Sequence, residues 1–228
     1  MVDNNRAKKG KEILIMKRRD FIKLSGVAVV GVCFNGCDIG PIGKEKATWG
    51  FLLADVKKCQ GCLSCMLACS LAHEGAQNLS LSRIQILQNS FGKFPDDITL
   101  VQCRQCVEPA CVSVCPTGAL QPDPDFGNVT TVDVSKCIGC KRCVNACPYT
   151  PGRTIWNVID NHSQKCDLCA NTPYWDQTGG PEGKKACVEV CPMGALTFTL
   201  VIPDQESIDS YNVNLRDLEW YKLGFPIF

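Results

Sequence analysis

The chain has 228 residues, a formal net charge of +1 and 18 cysteines. With 45% hydrophobic and 21% charged residues it is neither disordered nor collagen-like, and its charge excludes a strongly basic nucleic-acid binder. Cysteine this dense calls for disulfides, zinc or iron–sulfur clusters, and no run reaches the roughly 18 apolar residues that span a bilayer.

Residues 17–25 read Lys-Arg-Arg-Asp-Phe-Ile-Lys-Leu-Ser and lead into an apolar run from Leu24 to Phe34. A basic region before a short apolar run is an export pattern. Arg18 and Arg19, with Phe21 and Lys23, resemble the twin-arginine signal. That resemblance implies export of a folded, cofactor-loaded protein to the periplasm. Residues 1–47 are therefore assigned to a signal segment, and Cys33 and Cys37 are set apart from the metal count. Cys37 follows Gly36 and is a candidate lipid attachment site; lipidation, an uncleaved N-terminus or a partner would hold the protein at the membrane. Residues 1–47 carry ten of the 24 Lys/Arg and five of the 23 Asp/Glu, which leaves 14 against 18 in an acidic body.

Past the signal, Gly50–Val56 is a predicted strand. The first cysteine group follows as Cys59, Cys62, Cys65 and Cys69, spaced C-x2-C-x2-C-x3-C, with a short helix expected over Met66–His73. Strands are expected at Ile84–Gln88 and Ile98–Gln102. The second group is Cys103, Cys106, Cys111 and Cys115, with a helical turn over Ala110–Cys115. Gln121–Asn128, rich in Pro, Asp and Gly, reads as a loop, and Val129–Val134 as a strand. The third group, Cys137, Cys140, Cys143 and Cys147, repeats the spacing of the first, and a strand is expected at Thr154–Val158. The fourth is Cys166 and Cys169, then Cys187 and Cys191. Its internal stretch Asn171–Lys185 is a loop expected to cover a cluster or face a partner. A helix over Ala186–Cys191 and a strand over Leu196–Ile202 complete the domain. The tail 203–228 lacks cysteine but carries Tyr211, Trp220, Tyr221, Phe225 and Phe228. Such rings fit an anchor on a partner subunit, with a return onto the chain's own domain as the alternative. His73 and His162 are expected to be surface or capping residues.

Pro116, Pro148 and Pro192 directly follow the last cysteine of three groups, and Ser70 takes that place in the first. C-x2-C-x2-C-x3-C-P is the bacterial ferredoxin run that holds cubane clusters, its fourth cysteine ligating the neighbouring cluster. Three cysteines two residues apart let a tight loop wrap one face of a cube, with backbone N–H groups turned to the sulfurs. Sixteen thiolates then suffice for four [4Fe–4S] clusters. Repetition in one polarity with a trailing C-P is not a disulfide framework. A structural zinc site uses two pairs rather than four cysteines in about eleven residues, and no C-x2-C is followed by the His that covalent haem requires.

Four groups in this order, with Cys-Val-Ser-Val-Cys-Pro-Thr-Gly-Ala-Leu at 111–120, Lys-Cys-Asp-Leu-Cys at 165–169 and Cys-Val-Glu-Val-Cys-Pro-Met-Gly-Ala-Leu at 187–196, resemble the four-cluster iron–sulfur subunits of the molybdopterin (dimethyl-sulfoxide reductase) superfamily. Cys-Met-Leu-Ala-Cys-Ser-Leu-Ala-His-Glu-Gly at 65–75, with Leu-Ser-Arg-Ile at 81–84, is also similar to the ferredoxin-like small subunits of tungsten aldehyde oxidoreductases. The resemblance implies an α+β fold of two nested bacterial-ferredoxin-like dicluster units within residues 48–202. The outer unit is 48–102 with 159–202, the inner 103–158, and a C-terminal docking tail follows. It also implies four ligand sets: Cys59, Cys62, Cys65 and Cys191; Cys69, Cys166, Cys169 and Cys187; Cys103, Cys106, Cys111 and Cys147; and Cys115, Cys137, Cys140 and Cys143. Spacing alone leaves sequential pairing of the groups open.

The expected function is single-electron relay between a large molybdenum- or tungsten-pterin catalytic subunit and a quinone, cytochrome or other redox partner. The chain itself carries no catalytic constellation. A free-standing polyferredoxin shuttle or a maturation factor is the alternative. Lys57, Lys58, Arg104, Lys136, Lys141, Arg142 and Lys165 lie beside cysteines and are candidates to offset cluster charge, Lys141 and Arg142 foremost.

Overall fold

A computed structural model describes residues 50–207 and 210–212. The signal segment and Trp220, Tyr221, Phe225 and Phe228 of the tail lie outside the described residues. Eight short strands and four short helices alternate through the described chain. The strands are β1 (Phe51–Ala54), β2 (Gln85–Gln88), β3 (Ile98–Val101), β4 (Leu120–Asp123), β5 (Val129–Val132), β6 (Ile155–Asn157), β7 (His162–Gln164) and β8 (Leu196–Thr199). The helices are α1 (Ser64–Glu74), α2 (Ala110–Ser113), α3 (Arg142–Asn145) and α4 (Ala186–Glu189).

The strands form four antiparallel two-stranded ribbons: β1 with β8, β2 with β3, β4 with β5 and β6 with β7. The first and last strands meet in register, Leu52 opposite Phe198 and Ala54 opposite Leu196. Helix α1 packs against α4, and α2 against α3. Among the described residues no helix is long and apolar enough to cross a membrane.

The core is small, and the cysteines are part of it. Leu52, Met66, Ile84, Ile86, Leu100, Val129, Leu168 and Leu196 pack in one cluster with Cys65, Cys69, Cys103, Cys166 and Cys187. Aliphatic bulk this small is the situation in which bound metal contributes to folding in other small metallodomains.

Two elements depart from the expected pattern. The stretch 121–128, read as a loop, begins as strand β4, with Pro122 opposite Thr130. Proline is tolerated because each strand of a two-stranded ribbon has one free edge that needs no N–H donor. The Asp123 carboxylate then accepts from the Asp125 N–H and starts a 3-10 turn. Strand β7 has no apolar pattern to announce it, since His-Ser-Gln is polar, yet all three residues are buried.

Ser70 has a structural reason to replace proline. Helices α2, α3 and α4 end before Pro116, Pro148 and Pro192, whereas α1 runs four residues past Ser70. The Ser70 hydroxyl donates to the Leu67 carbonyl at 3.1 Å and accepts from the Asn78 N–H at 3.0 Å. Proline in a helix interior costs about 3 kcal/mol or more. Ser70→Pro is therefore expected to lower the thermal midpoint of the holoprotein and reduce helical circular dichroism; an unchanged midpoint would contradict this.

The tail turns back on the chain rather than leaving it, as far as it is described. Tyr211 is 1% exposed. Its hydroxyl donates to the Arg104 carbonyl at 2.6 Å, and its own carbonyl accepts from the Ala54 N–H at 2.9 Å. Its ring meets Phe51 edge-on at 6.3 Å, and the Arg104 guanidinium lies 4.7 Å from the ring centre. This aromatic ties the first part of the tail to β1 and the second cysteine group, as in the alternative reading; the rings expected to dock on a partner further along the tail lie outside the described residues.

Candidate iron–sulfur centres

The first and third groups fold alike. Gly61 and Gly139, each just before the second cysteine, have φ of +67° and +71°, and Leu63 and Lys141, just after it, have φ of +63° and +58°. Left-handed residues alternating along a short loop turn successive N–H groups inward, making a concavity suited to negative charge. Glycine is needed at 139, where a Cβ would lie 3.2 Å from both the Asn161 carbonyl oxygen and the Trp156 ring. Backbone N–H groups reach sulfur directly: Arg153 to Cys147 at 3.1 Å, Ala195 to Cys191 at 3.3 Å and Arg83 to Cys69 at 3.4 Å.

None of the sixteen cysteines is joined in a disulfide. Cys59, Cys62, Cys65 and Cys191 line one cavity of about 340 Å³, counting the part open to solvent. Cys103, Cys106, Cys111 and Cys147 line a second of about 330 Å³. Cys115, Cys137, Cys140 and Cys143 line a third of about 320 Å³. Each cavity takes three thiols from one group and one from another. Cys69, Cys166, Cys169 and Cys187 are buried, and the Cys187 thiol feels the other three.

A zinc ion would draw its thiolates to about 2.3 Å from one point. Among the described residues no three His, Cys, Asp or Glu side chains converge in that way. Four thiols spread around a cavity, with N–H groups turned to sulfur, are a donor set that fits a 4Fe–4S cubane.

Burial dominates the thiol electrostatics. It pushes Cys65 up to about 12, with Cys59 and Cys191 adding repulsion. It likewise pushes Cys169 to about 12 and Cys111 to about 11, and Lys165 opposes the rise at Cys111. Buried thiols of this kind remain protonated until a cation compensates the thiolate, which ties ligand ionisation to iron binding.

Cys69 is an exception, held below its ordinary value. Burial raises it, but His73 and the Arg83 N–H more than reverse that. His73 is not the surface or capping residue expected; it is 5% exposed. Its Nε2 lies 2.9 Å from the Asp167 carboxylate and its Nδ1 lies 2.7 Å from the Cys69 carbonyl oxygen. Both partners accept only, so both ring nitrogens carry protons. Burial alone would lower the imidazole, but the hydrogen bonds to Asp167 and Cys69 hold it up at about 9. Arg83 Nη1 donates to the other Asp167 oxygen at 2.6 Å, and Gln164 donates to Glu74 at 2.9 Å. His162 is buried as well, and its Nδ1 has no hydrogen-bond partner.

Gln105 is fully buried and links separate groups, donating to the Cys166 carbonyl at 2.6 Å and accepting from the Thr130 N–H at 3.1 Å. The loop 171–185 covers the fourth group: the Gly180 N–H reaches the Leu168 carbonyl at 2.9 Å, and Trp175 packs on the cluster of Ala72, Cys169 and Ala186.

The expected tuning cations sort by burial. Lys141 sits 4.4 Å from the centre of the Trp156 ring, and Lys141 and Arg142 are exposed. Lys136 is exposed and pairs with Asp133 at 2.8 Å. Lys165 is 3% exposed and lines the cavity of Cys103, Cys106, Cys111 and Cys147, where burial opposes its charge but the Cys103 and Cys111 thiols hold its ammonium above the ordinary lysine value. Lys165, not Lys141 or Arg142, is therefore the cation best placed against sulfur. Sequence position alone could not separate it from its exposed counterparts.

A family model described as a 4Fe–4S dicluster domain matches residues 97–201. The chain is 38% identical over 155 residues to the NADH-dependent phenylglyoxylate dehydrogenase subunit beta of Aromatoleum evansii, covering 68% of this chain and 30% of that protein. It is 36% identical over 152 residues to the thiosulfate reductase electron transfer subunit PhsB of Salmonella typhi, covering 64% of this chain and 73% of that one. It is 31% identical over 186 residues to the electron transport protein HydN of Escherichia coli (strain K12), covering 73% and 94%. The chain belongs to this family of 4Fe–4S dicluster electron-transfer proteins.

Proposed function

We propose that the chain relays single electrons through four [4Fe–4S] clusters, between a molybdenum- or tungsten-pterin catalytic subunit and a quinone, cytochrome or other redox partner. Three near-equal cavities, each ringed by four thiols from two different cysteine groups, carry this proposal. The ligand sets are those of nested pairing, supported by β1 meeting β8 and by the packing of α1 on α4 and α2 on α3. Residues 48–102 with 159–202 then form the outer unit and 103–158 the inner one.

Bound clusters supply one-electron chemistry, and the chain supplies thiolates, N–H donors and exclusion of water. Cys62 and Cys140 are exposed, while the second ligand set is buried. Electrons therefore enter and leave by the centres of Cys62 and Cys140. The protein is a non-catalytic subunit, exported through the twin-arginine pathway on residues 1–47. Anaerobic purification from the native source tests this. A stoichiometric complex with a large subunit containing molybdenum or tungsten in the periplasmic fraction is expected. A lone cytoplasmic monomer would favour a free electron shuttle instead.

A further inference from the structure

The three thiol-lined cavities differ in charge. No charged residue lines the cavity of Cys59, Cys62, Cys65 and Cys191 or that of Cys115, Cys137, Cys140 and Cys143. The cavity of Cys103, Cys106, Cys111 and Cys147 is lined by Arg104, Arg153 and Lys165 and by no acid. Arg104 and Lys165 are 6% and 3% exposed. Arg104 is held over Tyr149 at 4.4 Å and Tyr211 at 4.7 Å, so its position is fixed. The Arg153 backbone N–H makes the shortest N–H contact to sulfur, 3.1 Å to Cys147, and the Tyr149 hydroxyl lies 4.0 Å from the Cys106 sulfur. Around Cys69, by contrast, the cations Arg83 and His73 face two carboxylates, Asp167 on both and Glu74 on Arg83, so acid and base largely cancel.

A cluster gains one negative charge on reduction, so fixed cations in a water-poor site favour the reduced form, and apolar walls disfavour it. Resting on the relay function proposed above, we propose that the centre at Cys103, Cys106, Cys111 and Cys147 has the highest potential in the chain, set by Arg104, Arg153 and Lys165. The first electron to enter from either end comes to rest there. Lys165 also borders Cys166 and so extends a weaker pull to the second ligand set.

The test is an anaerobic redox titration of the full holoprotein followed by electron paramagnetic resonance. Lys165→Gln is expected to lower the highest midpoint by at least a tenfold change in the reduction equilibrium, about 59 mV for a one-electron couple. Lys165→Arg is expected to restore it, and Lys141→Gln, on an exposed side chain, to leave it in place. Arg153→Gln keeps the backbone N–H to Cys147 and is expected to lower the same midpoint by a smaller step; it carries the test should Lys165→Gln not accumulate. Four reducible centres whose highest midpoint is unmoved by Lys165→Gln, or by Arg153→Gln where that variant carries the test, would overturn this inference and leave the relay standing. A wild-type chain without four one-electron centres would overturn both.

Discussion

Cys187→Ala is expected to abolish accumulation of folded holoprotein, whereas Cys140→Ala is expected to leave a folded chain short of one cluster. Cys187 lies in the first turn of helix α4, is buried, and faces Cys69, Cys166, Cys169 and Cys65. Its centre joins α1, the segment 166–169 and α4, where aliphatic packing is thin. Losing it removes a cross-link and part of the core together. Cys140 is exposed, lies on a loop and lines the cavity of its set. Iron analysis of anaerobically purified Cys140→Ala is expected to give about twelve iron atoms per chain in place of about sixteen. Normal yield and iron content for Cys187→Ala would refute the structural role assigned to that centre.

Asp167→Asn is the second large effect. Its carboxylate binds Arg83 at 2.6 Å, His73 at 2.9 Å and the Cys169 N–H at 3.0 Å, the last two buried and the first half-buried. Removing the charge leaves the His73 imidazolium buried without its counter-ion and Arg83 with Glu74 alone, at 3.4 Å, and breaking a buried pair costs about 3–5 kcal/mol. The expected outcome is a clear fall in the denaturation midpoint of the holoprotein, followed by loss of its visible absorbance. Asp133→Asn breaks only the exposed pair with Lys136 and is expected to move the midpoint little. Equal effects from the two variants would contradict a role for the buried network.

The cysteine groups were far more legible in the sequence than their surroundings. Cubane ligation imposes local spacing, so Cys59 through Cys69 and Cys137 through Cys147 announce themselves whatever the tertiary structure. Strands such as Phe51–Ala54 and Val129–Val132 were legible because the first is an apolar run and the second is wholly β-branched. Strands β4 and β7 were not, since Pro122 argues against a strand and His-Ser-Gln carries no apolar pattern. Charged side chains were least legible. Lys141 and Lys165 look equivalent beside cysteines, yet one lies on an exposed ring face and the other against sulfur in the interior. The difference arises from strand β7, which carries Lys165 inward, a consequence of long-range packing. The His73–Asp167–Arg83 network joins residues more than 80 positions apart. Its one local sign was His73 four residues after Cys69, one helical turn along α1.

Coulometric reduction of the anaerobic protein, paired with iron and sulfide analysis on the same sample, tests the four-cluster relay most directly. Four [4Fe–4S] centres require about sixteen iron atoms, as many sulfides and about four electrons per chain. Uptake of two electrons with about eight iron atoms would contradict it, as would a colourless protein holding zinc.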